Sequence, residues 1–169
     1  MDQPVVSPRR RRALIALMAV VGVVAVVFSA YLLGLFDDEG RFRTEPEACA
    51  SVTPSLPRLG AAYVAKPDGE SSCGLYLPEA GQPEITISYA VVTPSRGDAP
   101  TAASTKLREF APLGFTELPN LADEAYIRDT SLYFRVSNLL VGITLQPGAT
   151  ATQAAVHTFA RELAAHLQA

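Results

Sequence analysis

Apolar positions along the chain form one unbroken block followed by a series of short periodic runs. Ala13–Phe36 (ALIALMAVVGVVAVVFSAYLLGLF) holds 24 residues without a single charge. As a helix rising ~1.5 Å per residue it would reach about 36 Å, enough to cross a hydrocarbon core about 30 Å thick with some tilt. A helix also pairs its own backbone polar groups, as lipid requires. The block therefore predicts one transmembrane helix. The rival reading is a cleaved signal peptide. It fits less well, because the run exceeds the usual ~7–15 apolar residues and Phe28 stands at the −3 position to Ala30, where a small residue is needed.

The runs beyond the block have the periods of a folded domain. Asp37–Glu47 is polar and aperiodic and reads as a juxtamembrane linker. Thr53–Gly60 (TPSLPRLG) has turn or short-helix character, with Pro54 suited to a first helical position and Gly60 to a stop. Lys66–Ser72 reads as a polar loop and Cys73–Leu77 as a short strand. In Glu84–Val92, Ile85, Ile87, Tyr89 and Val91 alternate with Thr86, Ser88 and Ala90, the pattern of a half-buried strand. Thr101–Ala111 reads as a helix with Leu107, Phe110 and Ala111 on its apolar side. Asp123–Gln146 predicts a three-strand meander: Leu132, Phe134 and Val136 alternate with polar neighbours, then Leu139, Val141, Ile143 and Leu145 do. Asp129-Thr130 and Ser137-Asn138 fall where tight turns are needed, and Asn tolerates the left-handed conformation. A last helix, capped by Thr150 or Thr152, carries the stripe Val156, Phe159, Leu163 and Leu167, with Ala155 and Ala160. The expected fold is α+β: an N-terminal transmembrane helix, then a two-layer domain with an antiparallel sheet and helices on one face. The boundaries are 1–12 for a basic tail, 13–36 for the membrane helix, 37–47 for the linker and 48–169 for the domain.

Charge gives the block a direction. Arg9, Arg10, Arg11 and Arg12 precede it, and Asp37, Asp38 and Glu39 follow. By the positive-inside rule the tail is cytoplasmic and the domain lies outside the cell membrane. From Asp37 onward the chain has 10 basic and 16 acidic residues, a net charge of −6. That is the wrong sign for a nucleic-acid surface, so no nucleic-acid partner is expected and the arginine run reads as a topogenic signal.

The two cysteines, Cys49 and Cys73, both lie in the outer domain, 24 residues apart. An even count in an oxidising compartment predicts a disulfide. Were the domain cytoplasmic, two buried thiols would be expected instead.

Motifs for chemistry are sparse. His157 and His166 are too far apart to form an i, i+4 pair, and the chain has no other histidine. With no HExxH, CxxC, GxSxG, P-loop or GxGxxG, no metal, cofactor or catalytic residue is expected. A Ser-His-Asp set from Ser131 or Ser137, His157 and Asp123 could be assembled by the fold, as in any chain of this size. Arg96-Gly97-Asp98 matches an adhesion tripeptide, but a turn with a helix cap at Asp98 accounts for it. Asp123 and Glu124 could hold a cation, although such a pair is more often solvated at a strand start. Arg128 and Arg135 could pair with them or with an acidic ligand, contributing little as surface charges.

Three stretches carry a resemblance. They are CASVTPSLPRLG after the first cysteine, SSCGLYL around the second, and DEAYIR…LYFRVSNLLVGITL closed by the helix FARELAAHL. Over roughly Pro46–Ala169 the chain resembles a family of actinobacterial cell-envelope domains of unknown function, carried on lipoproteins or behind one transmembrane helix. It departs from that family in having Leu75 where an aromatic residue is frequent, and no lipidated cysteine. The resemblance implies a two-Cys extracytoplasmic domain and transfers no catalytic residue. The resulting reading is a membrane-anchored binding or sensing domain, not an enzyme, with an envelope protein, lipid or glycan as partner. The alternatives are a scaffolding subunit of an envelope complex and, more distantly, a hydrolase.

Overall fold

A computed structural model of the chain describes residues 22–30, 34 and 37–169. It divides into two compact units, Met1–Asp37 and Asp38–Ala169. In the first, residues 22–30 are helical. Val23, Val24, Val26, Val27 and Phe28 are exposed there, and the Ser29 hydroxyl donates back to the Ala25 carbonyl at 2.8 Å. The rest of the expected span, and Arg9–Arg12, lie outside the described residues. Among the described residues no helix is long and apolar enough to cross a membrane.

The second unit is α+β. Its elements are α1 (Ala48–Val52), a 3-10 helix (Thr53–Leu59), β1 (Val64–Pro67), β2 (Ser72–Tyr76), β3 (Ile85–Val91), α2 (Ala99–Arg108), a 3-10 turn (Ala111–Leu113), β4 (Thr116–Glu117), β5 (Glu124–Arg128), β6 (Ser131–Val136), β7 (Leu139–Leu145) and α3 (Gln153–Gln168). The strands form one seven-stranded sheet in the order β1-β2-β3-β7-β6-β5-β4. Every neighbouring pair is antiparallel. The meander β5-β6-β7 is present as expected, and β7 also pairs along its whole length with β3, Ile85 opposite Leu145 through Val91 opposite Leu139.

Period-two alternation sets what each strand buries. Ile85, Ile87, Leu132, Phe134, Val136, Leu139, Val141 and Ile143 are at most 2% exposed, and they meet Val156, Phe159, Ala160, Leu163 and Leu167 of α3 in one core. Each large side chain taken from water there contributes roughly 1.5–3 kcal/mol. The cap of α3 is Thr152, whose hydroxyl accepts from the Ala155 N–H at 3.2 Å. Its other candidate, Thr150, is engaged elsewhere, donating its hydroxyl to Glu84 at 3.0 Å. The Thr53–Leu59 helix stops at Gly60, whose φ of 74° is the left-handed C-terminal conformation. The Cys49–Cys73 disulfide is formed, with Cα atoms 5.1 Å apart, and it ties α1 to β2.

The helices do not all lie on one face, which corrects the two-layer expectation. α2 packs against β5, β6 and β7. It does so from the face that bears Glu124, Tyr133 and Arg135, opposite the face covered by α1, the 3-10 helix and α3. Its buried positions are Ala99, Ala103 and Leu107, and Ala111 is exposed. Small side chains at i and i+4 let this helix approach the strands closely. Beyond its end Phe110 stacks on Tyr133 with ring centroids 4.2 Å apart, and Phe115 meets both rings edge-on. Gly142 on β7 makes room for this: a Cβ there would lie 2.9 Å from the Tyr133 ring and 2.7 Å from the Ser88 hydroxyl.

The segment read as a linker is fastened to the domain. Asp38 O accepts from Ala99 N at 2.8 Å, and Arg41 N donates to the Ser137 hydroxyl at 3.0 Å. Asn138 both accepts from Phe42 N at 2.9 Å and donates to Phe42 O at 2.8 Å. Asn138 is fully buried, and Ser137 rather than Asn138 takes the left-handed conformation of that hairpin, with φ 54°. The asparagine is there because its amide offers an acceptor to the N–H and a donor to the carbonyl of the same strap residue, Phe42.

Candidate functional site

A cavity of about 400 Å³ opens where the β5–β6 turn, the end of β7 and the first turns of α3 converge. Its apolar lining includes Ile127, Leu132, Leu145 and Val156, of which the last three belong to the main core. Alternation on β6 and β7 puts Leu132 and Leu145 on the α3 face, and the α3 stripe brings Val156 to meet them. The outer wall is the stretch from Gln146 to Ala151, where Pro147 and Gly148 end the sheet. The mouth is pinned by Gln153, whose side-chain N–H donates to the Asp129 carbonyl at 2.8 Å. Asp129 adopts φ 49°, as the tight β5–β6 turn demands.

The polar groups around this cavity are mostly spoken for. Thr130 O accepts from Leu145 N at 2.9 Å and Gln146 O from Ala149 N at 3.1 Å. The one carboxylate, Asp129, is 84% exposed and lies 3.5 Å from the Arg128 guanidinium. His157 also lines the wall, and its Nε2 is buried without a hydrogen-bond partner among the described residues. An orphaned buried nitrogen of this kind costs stability, so its retention calls for a reason.

The structure divides the residues singled out from the sequence. Ser131 and His157 line the same cavity, but Ser137 and Asp123 are at the opposite end of β6, where the Asp123 carboxylate accepts from the Ser137 N–H at 2.6 Å. A Ser-His-Asp relay through Asp123 is therefore not assembled. His166 faces Ser55, with Nδ1 3.3 Å from the hydroxyl, and Ser55 is fully buried. Asp98 caps α2, accepting from Thr101 N at 2.6 Å, so its carboxylate is committed within the fold. Among the described residues no group of three or more His, Cys, Asp or Glu side chains could hold a metal ion.

Of the acidic and basic residues singled out, Glu124 and Arg135 are largely interior, whereas Asp123 and Arg128 are exposed. Glu124, with its side chain 9% exposed, accepts from the Ser104 hydroxyl at 2.5 Å and from Arg108 Nε at 2.8 Å. Arg135, 14% exposed, lies 3.8 Å from Glu124 and 3.4 Å from Asp123 and donates to the Ser137 carbonyl at 2.8 Å. Burial alone would push the Glu124 carboxyl up, but the Ser104 hydroxyl and the Arg108 and Arg135 guanidiniums together hold it below the usual carboxylate range. Arg128 pairs instead with Asp129. At the cavity's far flank Glu84 accepts from the Tyr63 hydroxyl at 2.6 Å and from Thr150 N at 2.9 Å. The Tyr63 bond lowers the Glu84 carboxyl against the opposing effect of burial, and the Thr150 bonds lower it further. These two clusters lock α2 and the loop before α3 onto the sheet.

The cavity itself left almost no trace in the sequence. His157 stood out only as a histidine, and the converging segments are far apart in the chain. Comparison with protein-family models, with curated proteins and with solved structures returned no match.

Proposed function

We propose that the chain is a single-pass membrane protein of the cell envelope whose outer domain is a binding or sensing module, with the cavity beside α3 as its ligand site. In this reading Arg9–Arg12 stay in the cytoplasm, Ala13–Phe36 spans the bilayer, and Asp38–Ala169 works outside, as the resemblance to two-Cys actinobacterial envelope domains implies. The observation that carries it is the Cys49–Cys73 bond. Disulfides persist in oxidising compartments and are rare in the cytosol, so the bond supports the direction given by the arginine flank. The exposed valine and phenylalanine side chains of residues 22–30 suit a lipid environment better than water. The cavity supports binding over scaffolding, since its volume is within the range of small-molecule sites, about 300–1,000 Å³.

A compartment-specific reporter fused after Ala169 tests the reading. Activity from an exported-only reporter, with Cys49 and Cys73 alkylated only after reduction, is the expected result. Activity from a cytoplasm-only reporter, or free thiols in intact cells, would sink the topology and the envelope assignment together.

A further inference from the structure

We infer that the strap of residues 38–45 holds one end of the outer domain at the bilayer surface and turns the cavity away from it, so that the cavity is filled from the aqueous space and not by a lipid held in the membrane. This rests on residues 13–36 spanning the bilayer and on the cavity being the binding site. Asp38 lies two residues beyond Phe36, a reach of at most ~7 Å even when fully extended. Its carbonyl already accepts from Ala99 N at 2.8 Å, and its side chain accepts from Gly40 N at 2.8 Å. Gly40 passes so close to Asn138 that a Cβ there would come within 2.3 Å of the amide carbon. Its φ of 76° also suits glycine. Arg41 and Phe42 then bond Ser137 and Asn138, and the Arg41 guanidinium donates to the Gln168 carbonyl. Glu45 accepts from the Ser71 hydroxyl. The chain is thus fastened to the start of α2, the β6–β7 turn and the end of α3 with no slack before the first bond. Whatever angle the anchor makes, covalent reach keeps this end of the domain near the headgroup layer.

The cavity lies at the other end of the same strands. β7 runs from Leu139, beside the clasp, to Leu145 in the cavity wall, about 20 Å at roughly 3.4 Å per residue. β6 likewise runs from the cavity at Ser131 and Leu132 to Val136 beside the clasp. A bilayer lipid would have to leave the membrane to enter, whereas a solute or partner in the envelope space meets the mouth directly. The exposed stretch Ser95, Arg96 and Gly97 leads into Ala99, so the Arg96-Gly97-Asp98 tripeptide belongs to the clamped end.

The full chain in lipid nanodiscs tests this, with gadolinium chelated on a fraction of the headgroups and amide resonances compared with those in unlabelled discs. Ser95, Gly97 and Ser137 should lose most of their intensity, while Thr130, Gly148 and Ala149 keep theirs. A flexible Gly-Ser spacer of about twelve residues between Asp37 and Asp38 adds ~20 Å of mean reach. It leaves every strap bond in place, which unchanged amide shifts would report, and the contrast between the two ends should vanish. Equal loss at both ends of the parent, greater loss at Thr130 and Gly148, or no loss at either end would overturn the placement while leaving the reporter result untouched. A contrast that survives the spacer would overturn the strap as its cause. A cytoplasmic reporter signal would remove the envelope assignment and leave the orientation standing. A chain that fails to co-elute with the discs would remove the span and the orientation together.

Discussion

On the α3 side of the sheet, Phe134, Ile143, Phe159 and Leu163 are fully buried and contribute no polar side-chain atom to the contact. On the α2 side the central group is Glu124, whose carboxylate takes Ser104 and Arg108 from the helix while Arg135 lies beside it on the neighbouring strand. One face is held by apolar burial, which is insensitive to salt and needs only shape. The other joins a narrow apolar seam of Ala99, Ala103 and Leu107 to charges that must stay paired, because a buried ion that loses its partner is far costlier than the pair was favourable. The same sheet therefore carries a face that sets whether the domain folds and a face that sets whether one helix stays attached.

The largest effect should come from the first face. Phe159→Ala should cost about 3–5 kcal/mol, the lost transfer energy plus the cavity left behind. It should appear in denaturant titrations as a lower midpoint for the whole domain. A cost below about 1 kcal/mol would mean that α3 is not part of the cooperative core. Next comes the Cys49–Cys73 bond, which closes a loop across that face. The paired replacement Cys49→Ser with Cys73→Ser should cost about 3 kcal/mol by relaxing the unfolded chain. If reductant left the melting temperature unmoved, the bond would be dispensable to the fold.

Glu124→Gln addresses the second face. It keeps the side-chain shape but removes the charge beside Arg135, and a cost of about 1–3 kcal/mol is expected. The decisive readout is where the cost is felt. Amide exchange should quicken across Ala99–Arg108 while Gln153–Gln168 stays protected. Equal acceleration of both helices would show that the two faces are not separable.

That difference between faces also explains what the sequence disclosed. The α3 stripe, the alternation of β3, β6 and β7 and the cysteine pair are local, periodic or compositional signals, and each was readable. α2 was legible as a helix, but its apolar side was only partly placed: Leu107 is buried as expected, Phe110 packs beyond the helix end, and Ala111 is exposed. The buried positions Ala99 and Ala103 carry too little apolar weight to mark a face, so the second layer of helix stayed hidden. β1, four residues ending in Pro67, and β4, two residues long, are edge strands whose partners define them. Arg135 and Glu124 were readable as a possible pair, yet their burial depends on a helix arriving from a distant segment. Asn138 looked like a turn residue because its role as a clamp needs Phe42, which is 96 positions away. The cavity is legible in no single segment, since the β5–β6 turn, the β7 end and α3 must first be brought together.

The gentlest perturbation changes pH and no heavy atom, and it should address the faces in turn. Glu124 on the α2 side and Glu84 at the sheet end both have carboxyls held below the ordinary range. Their contribution is complete above the unfolded value of about 4.3 and is lost as pH falls through the lowered folded values. On the other face Tyr89, bonded to Ser51 of α1 at 2.8 Å, is pushed up to about 12 by burial, with the Ser51 bond opposing. Tyr63 is likewise raised to about 12, by burial first and then by Glu84. Their contribution is present below the unfolded tyrosine value of about 10 and is lost as pH climbs towards the folded one. Melting temperatures should thus decline below about pH 4, with a shallower slope in Glu84→Gln with Glu124→Gln. A tyrosinate absorbance titration should show a lagging fraction near pH 12 that shrinks in Tyr89→Phe. Identical acid slopes in the parent and the double variant would remove the charged clusters from the account of acid stability. A tyrosine titration complete near pH 10 would do the same for burial of Tyr89.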